Sequence, residues 1–148
     1  MEENRFKKTE RTLYDYKGLE AKIKNIEIDI NNLENDITLK AISYDEKTSP
    51  TNAFNSSVEN EVIKRDEFTS KQIDTLKAKK VYYQNLKIKI ENAISVLDEV
   101  ERAIIELKYF DTNNLHWSEI SAKVGLERNW CMRKRNQIIN KLTDIIYP

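Results

Sequence analysis

Apolar residues recur in strict three-four spacing from Tyr16 to Ile37: Tyr16, Leu19, Ile23, Ile26, Ile30, Leu33 and Ile37. On an α-helix such positions share one side. Between them only Gly18, Ala21 and Ile28 are neither polar nor charged. This is an a/d seam held for three heptads, the pattern of a coiled-coil helix. Its flanks are acidic: Gly18 to Asp36 holds five acids (Glu20, Glu27, Asp29, Glu34, Asp36) and two lysines.

A second period runs from about Val58 into the nineties, weak at first and then clear at Leu76, Tyr83, Leu86, Ile90, Ala93 and Leu97. Its flanks carry the opposite charge, with six lysines and one acid between Lys71 and Lys89. The intervening stretch, near 41–57, is polar, aperiodic and contains Pro50, so it reads as a loop. Ser56 with Glu59 three residues on is a capping-box signature for the next helix. In a parallel homodimer of the first helix, Asp15 would face Glu20 and Asp29 would face Glu34, which opposes pairing. The lysine-rich helix is the better partner, and residues 10 to 95 are expected to form an antiparallel hairpin. The other arrangement is that both helices are oligomer seams between chains. With only two glycines and two prolines in 148 residues, the turns that a sheet protein needs are missing. The expected fold is all-α, with residues 1–96 as a long helical hairpin and 97–148 as a separate C-terminal domain.

That C-terminal part reads as shorter helices. Asp98 with Glu101 repeats the cap spacing, and Val100, Ala103, Ile104 and Leu107 form an apolar stripe. "DTNNL" is a polar connector. "HWSEISAKVG" is a short helix with Trp117, Ile120 and Val124 inward, ended by Gly125. A longer basic helix then runs to about Tyr147. Two short helices, a glycine turn and a basic helix form the helix-turn-helix pattern. In it Leu126 is expected to plug the gap between helices, and Ala122 to allow their close approach.

On the last helix, Cys131, Ile138, Leu142 and Ile145 are expected on one side, and Asn129, Arg133, Asn136 and Gln137 on the other, with Trp130 at its edge. Between Arg128 and Thr143 lie five positive charges and no acid. A face that is merely solvated would more often alternate signs to gain i,i+4 pairs. Arginine suits guanine edges, asparagine and glutamine suit adenine, and lysine binds phosphate. The expected DNA-binding residues are Arg128, Asn129, Trp130, Arg133, Lys134, Asn136, Gln137 and Lys141.

The stretch "LDEVERAIIELKYF…HWSEISAKVGLERNWCMRKRNQIINKL" resembles sigma-factor region 4. The whole chain resembles the phage-encoded ArpU/RinA-type late transcription regulators, through "TLYDYKGLEAKI", through "SSVENEVIKRDEF" after the polar loop, and through this ending. Glu127 stands where that pattern usually has Ser or Thr, and Trp130 where it has a small residue. The resemblance implies a sequence-specific DNA-binding regulator of a phage or prophage. It would activate late genes from double-stranded promoter DNA in the bacterial host cytoplasm, with host RNA polymerase as a further partner and homo-oligomerisation open.

Net charge is zero, so only the uneven distribution of charge points to nucleic acid. One histidine (His116) and one cysteine (Cys131) cannot make a zinc site or an oriented Cys–His dyad. His116 is expected to act locally at a helix start, and Cys131 to be core. No glycine-rich phosphate loop exists. The expectation is therefore no enzyme, no metal and no cofactor. No apolar run approaches the roughly 18 residues of a membrane span, and "MEENRFKKTER" lacks the apolar core of a signal peptide. A soluble protein of a reducing cytosol is the default. Two rival readings are a small terminase subunit, which usually places its helix-turn-helix first, and a coiled-coil scaffold whose basic tail contacts a protein.

Overall fold

A computed structural model describes residues 4–45 and 56–148, with side chains placed for 4–39 and 60–148. Among them the secondary structure is all helical: α1 (Arg5–Asp45), α2 (Ser56–Ser95), α3 (Glu99–Ile105), a π-helical turn (Glu106–Phe110), α4 (Trp117–Val124) and α5 (Arg128–Ile146). The expected loop near 41–57 is thus shortened at both ends. Its middle lies outside the described residues, and the side chains of the Ser56–Glu59 cap lie outside those placed.

Packing groups the chain into two compact units, Met1–Glu20 with Asn85–Pro148, and Ala21–Gln84. Within Ala21–Gln84 the helices pair antiparallel. Ile26, Ile30 and Ile73 form the buried centre, with Leu33, Ile37, Leu76 and Tyr83 packed against it. Lys80 meets Glu27 at 2.9 Å and Lys77 meets Glu34 at 3.3 Å, so the partner number falls as the other rises. These pairs are half exposed and worth roughly 0.2–1 kcal/mol each. They select the partner and its direction, while removal of the isoleucine and leucine side chains from water supplies most of the stability.

The other unit holds the larger core. Leu13 and Leu19 of α1, Ile90 and Ala93 of α2, Ile104 and Ile105 of α3, Ile120 of α4, and Ile138, Ile139, Leu142 and Ile146 of α5 are all buried. Here too α1 and α2 run antiparallel: Lys87 lies 3.4 Å from Glu20, and the Tyr16 hydroxyl donates to Glu91 at 3.0 Å. The units therefore do not follow the 96/97 division expected from the sequence. The reason is the first turns of α1. Thr9 is fully buried and its hydroxyl lies 2.7 Å from that of Thr143. Thr12 shares a 2.6 Å hydrogen bond with the Tyr147 hydroxyl, and Arg5 donates to the Tyr147 carbonyl.

Asp98 and Glu101 form the expected capping box. The Glu101 N–H donates to Asp98 at 2.8 Å and the Asp98 N–H to the Glu101 carboxylate at 3.2 Å. The Glu101 N–H holds the Asp98 carboxyl below its ordinary range. The apolar stripe beyond it needs correction. Val100 is exposed, and Ile104, Ile105 and Tyr109 carry the core. The Asp111 N–H reaches back five residues to the Glu106 carbonyl at 2.9 Å. This π turn widens the last turn of the helix before the connector. Asp111 then accepts from the Asn113 N–H at 2.8 Å, and Asn114 takes a left-handed φ of 48°, which closes the connector.

Candidate nucleic-acid interface

α4 and α5 are joined by a three-residue turn, Gly125–Glu127. Gly125 has a φ of 75°, where a side chain would be strained. The Gly125 and Leu126 N–H groups both donate to the Ser121 carbonyl, at 2.9 and 3.3 Å. The Ser121 hydroxyl donates to the Leu126 carbonyl at 2.6 Å. Leu126 therefore fixes the turn through its backbone. Its side chain is 37% exposed and does not plug the gap as expected. Ala122 is also exposed, and the buried residue of α4 is Ile120. At the start of α4, the His116 N–H donates to Glu119 at 2.8 Å, the local role expected of that position. Glu127 occupies the N-cap position of α5 without a side-chain hydrogen bond to the helix.

The division of α5 into two sides follows from its buried set: Cys131, Ile138, Ile139, Leu142, Thr143 and Ile146. Ile145, expected inside, is 38% exposed, and Ile139 and Ile146 take its place. At about 100° per residue the buried arc centres near Arg135. Arg135 counts among the five basic residues in the sequence, yet it faces inward. Its guanidinium donates to Glu10 at 2.7 Å and to the Tyr109 hydroxyl at 3.3 Å, and it lies over the Trp117 ring at 5.3 Å. The Tyr109 hydroxyl itself donates to Glu10 at 2.7 Å. Burial of Arg135 opposes its charge, but the hydrogen bond with Tyr109 and the Glu10 carboxylate outweigh that and its pKa rises. Burial drives the Tyr109 phenol well above its ordinary value. One basic residue is thus spent on the core.

Of the expected contact residues, Arg128, Asn129, Trp130, Arg133, Asn136 and Gln137 are exposed. Arg133 and Gln137 lie opposite the buried arc, with Asn129 and Asn136 toward its flank. Asn140 belongs with them, although the sequence pattern does not single it out; it falls about 180° from Cys131 on the same helix. Among the described residues, no carboxylate forms an ion pair with Arg128 or Arg133. Lys134 and Lys141 differ. They sit at the edge next to α3, 4.0 and 3.6 Å from the buried carboxylate of Glu101. Cys131 is fully buried and its thiol pKa is raised by that burial.

No group of His, Cys, Asp and Glu able to hold a metal occurs among the described residues. No described helix is long and apolar enough to cross a membrane. Among the described residues these features define an all-α protein: two long helices, paired antiparallel within each unit, followed in sequence by short helices that end in a helix–turn–helix pair. The chain matches the family described as "Protein of unknown function (DUF722)" over residues 5–144, and it belongs to that family. No curated protein and no solved structure matches it.

Proposed function

We propose that the α4–α5 pair binds double-stranded DNA and that the protein is a sequence-specific transcription regulator. The observation that carries this reading is the outer side of α5. Arg133 stands there among Asn129, Asn136, Gln137 and Asn140, exposed and without an internal counter-ion among the described residues. Folding alone draws little stability from such a face. An arginine among amides is the donor and acceptor set that base edges in a major groove require. The three-residue turn at Gly125 is short enough to leave the N-terminal half of α5 accessible, as groove insertion demands.

The resemblance to late regulators of phages extends this to activation of late genes in a bacterial cytoplasm, with RNA polymerase as a candidate partner. The test is genome-wide footprinting with the full chain on the DNA that encodes it, followed by titration of the protected duplex and a scrambled one across a salt series. A protected site bound several-fold tighter than the scrambled duplex, with affinity falling as salt rises, supports the reading. No protection and no salt-dependent binding would return the protein to the scaffold class.

A further inference from the structure

Glu101 lies where its charge bears on the lysines of α5. Its side chain is 10% exposed, against 29% for Lys134 and 44% for Lys141. One carboxylate oxygen lies 4.0 Å from the Lys134 ammonium and the other 3.6 Å from that of Lys141. The two lysines are seven residues apart, so they project from the same edge of α5, and that edge borders the exposed Arg133 face. Glu101 cannot swing away freely. Its carboxylate also accepts the Asp98 N–H in the capping box, which fixes it at the start of α3.

We propose that Glu101 is an internal rival of the DNA phosphates. It holds the ammonium groups of Lys134 and Lys141 in the free protein and sets the affinity for a duplex below what those lysines would give alone. The inference rests on the reading that α5 meets DNA. Its physical basis is the symmetry between the rivals. A carboxylate and a phosphate both present anionic oxygens to an ammonium. The lysine pairs are long and partly solvated, so exchange of one anion for the other is cheap. A fixed anion beside two phosphate-seeking cations weakens binding to every sequence alike, because phosphate contacts carry no sequence information. Specificity stays with Arg133 and the amides, and Glu101 tunes the general affinity on which that specificity is superimposed.

The substitution that isolates the charge is Glu101→Gln, since glutamine keeps the capping-box acceptor and loses only the anion. Binding of the full-length protein to its footprinted duplex and to a scrambled one is measured over a salt series. Glu99→Gln, the same charge change on a different side of α3, is the control. The expected result is that Glu101→Gln binds both duplexes about three- to tenfold tighter. The salt slope steepens by about one, because one net positive charge is gained at the interface. Glu99→Gln stays close to the unaltered protein, and the gain disappears when Lys134→Ala and Lys141→Ala are added. Equal gains from both glutamine substitutions, or none from Glu101→Gln, overturn the inference and leave DNA binding standing. Failure of the unaltered protein to bind any duplex at low salt overturns DNA binding itself. A measurement free of any folding effect is the side-chain carboxyl 13C signal of Glu101 in the unaltered protein. It should move when duplex is added, as the lysines leave it, and a signal that stays in place while DNA is bound overturns the inference.

Discussion

Thr9 and Thr143, 134 positions apart, share a 2.7 Å hydrogen bond between buried hydroxyls. Each is also bonded within its own helix, Thr9 to the Arg5 carbonyl at 2.9 Å and Thr143 to the Ile139 carbonyl at 2.7 Å. A hydroxyl has one proton, so one of the two donates into the pair while the other donates to its own backbone. Thr143→Val should cost about 1–2 kcal/mol. The double change Thr9→Val with Thr143→Val should cost clearly less than the sum of the single changes, since it leaves no buried hydroxyl half satisfied. Urea unfolding of the four proteins measures this; strict additivity would contradict the pairing.

The same contact predicts the behaviour of fragments. Residues 97–148 alone lack the α1 residues Thr9, Thr12 and Leu13, which are buried in the full chain. They also lack Glu10, the partner of Arg135. The fragment should show helical far-ultraviolet circular dichroism without a cooperative melt, because helices this short depend on tertiary packing. A sharp thermal transition like that of the full chain would contradict the grouping of the first turns of α1 with α5.

Arg133 and Arg135 should behave in opposite ways. Arg135→Ala leaves Glu10 and the Tyr109 hydroxyl without their cation and should lower stability by roughly 1–3 kcal/mol. At temperatures well below the melt, DNA affinity should remain intact. Arg133→Ala should leave stability within about 0.5 kcal/mol and cost about 1–3 kcal/mol on the cognate site, relaxing specificity at one position. Thermal melts and duplex titrations on both variants decide the matter. Equal loss of DNA affinity in the two would mean that the inner and outer sides of α5 do not divide folding from binding.

Tyr109 links folding to alkaline pH. Its folded pKa is raised above the ordinary tyrosine value near 10, first by burial and then by its bond to Glu10. The folded state therefore keeps the phenol proton that the unfolded chain releases. The stabilisation is whole below pH 10 and is lost progressively as pH rises above it. Tyr109→Phe should flatten that part of the profile. Melting temperature against pH, together with tyrosinate absorbance, provides the check.

Cys131 should be inert. Its side chain is fully buried and its thiol is pushed up by burial, so little thiolate forms at neutral pH. Labelling by an aromatic disulfide reagent should be slow in buffer and complete in denaturant. Rapid labelling of the native protein would show that α5 is rotated away from the phase that buries Cys131.

The sequence alone determined those features that depend on spacing along one helix or on charge sign. The seam from Leu19 to Ile37 and the opposite flank charges were enough for an antiparallel hairpin, because both repeat over many turns and errors average out. Gly125 and the Asp98–Glu101 box marked their helix ends, because capping is a local interaction of a few adjacent residues. The Arg133–Gln137 face followed from the same periodicity. What only the tertiary structure decided involves distant partners or a break in period. The π turn at Glu106–Phe110 adds a residue to one turn, which no fixed periodicity anticipates. The buried side of α3, with Ile104 and Ile105 inside and Val100 exposed, was set by packing against the other helices. Arg135 is indistinguishable from its basic neighbours in sequence. It is drawn inward by Glu10, 125 residues away, and by Tyr109. Lys134 and Lys141 read as free phosphate ligands until Glu101 is seen beside them. In each case the deciding interaction is a contact between elements, and its energy depends on separation and burial in space rather than on order along the chain.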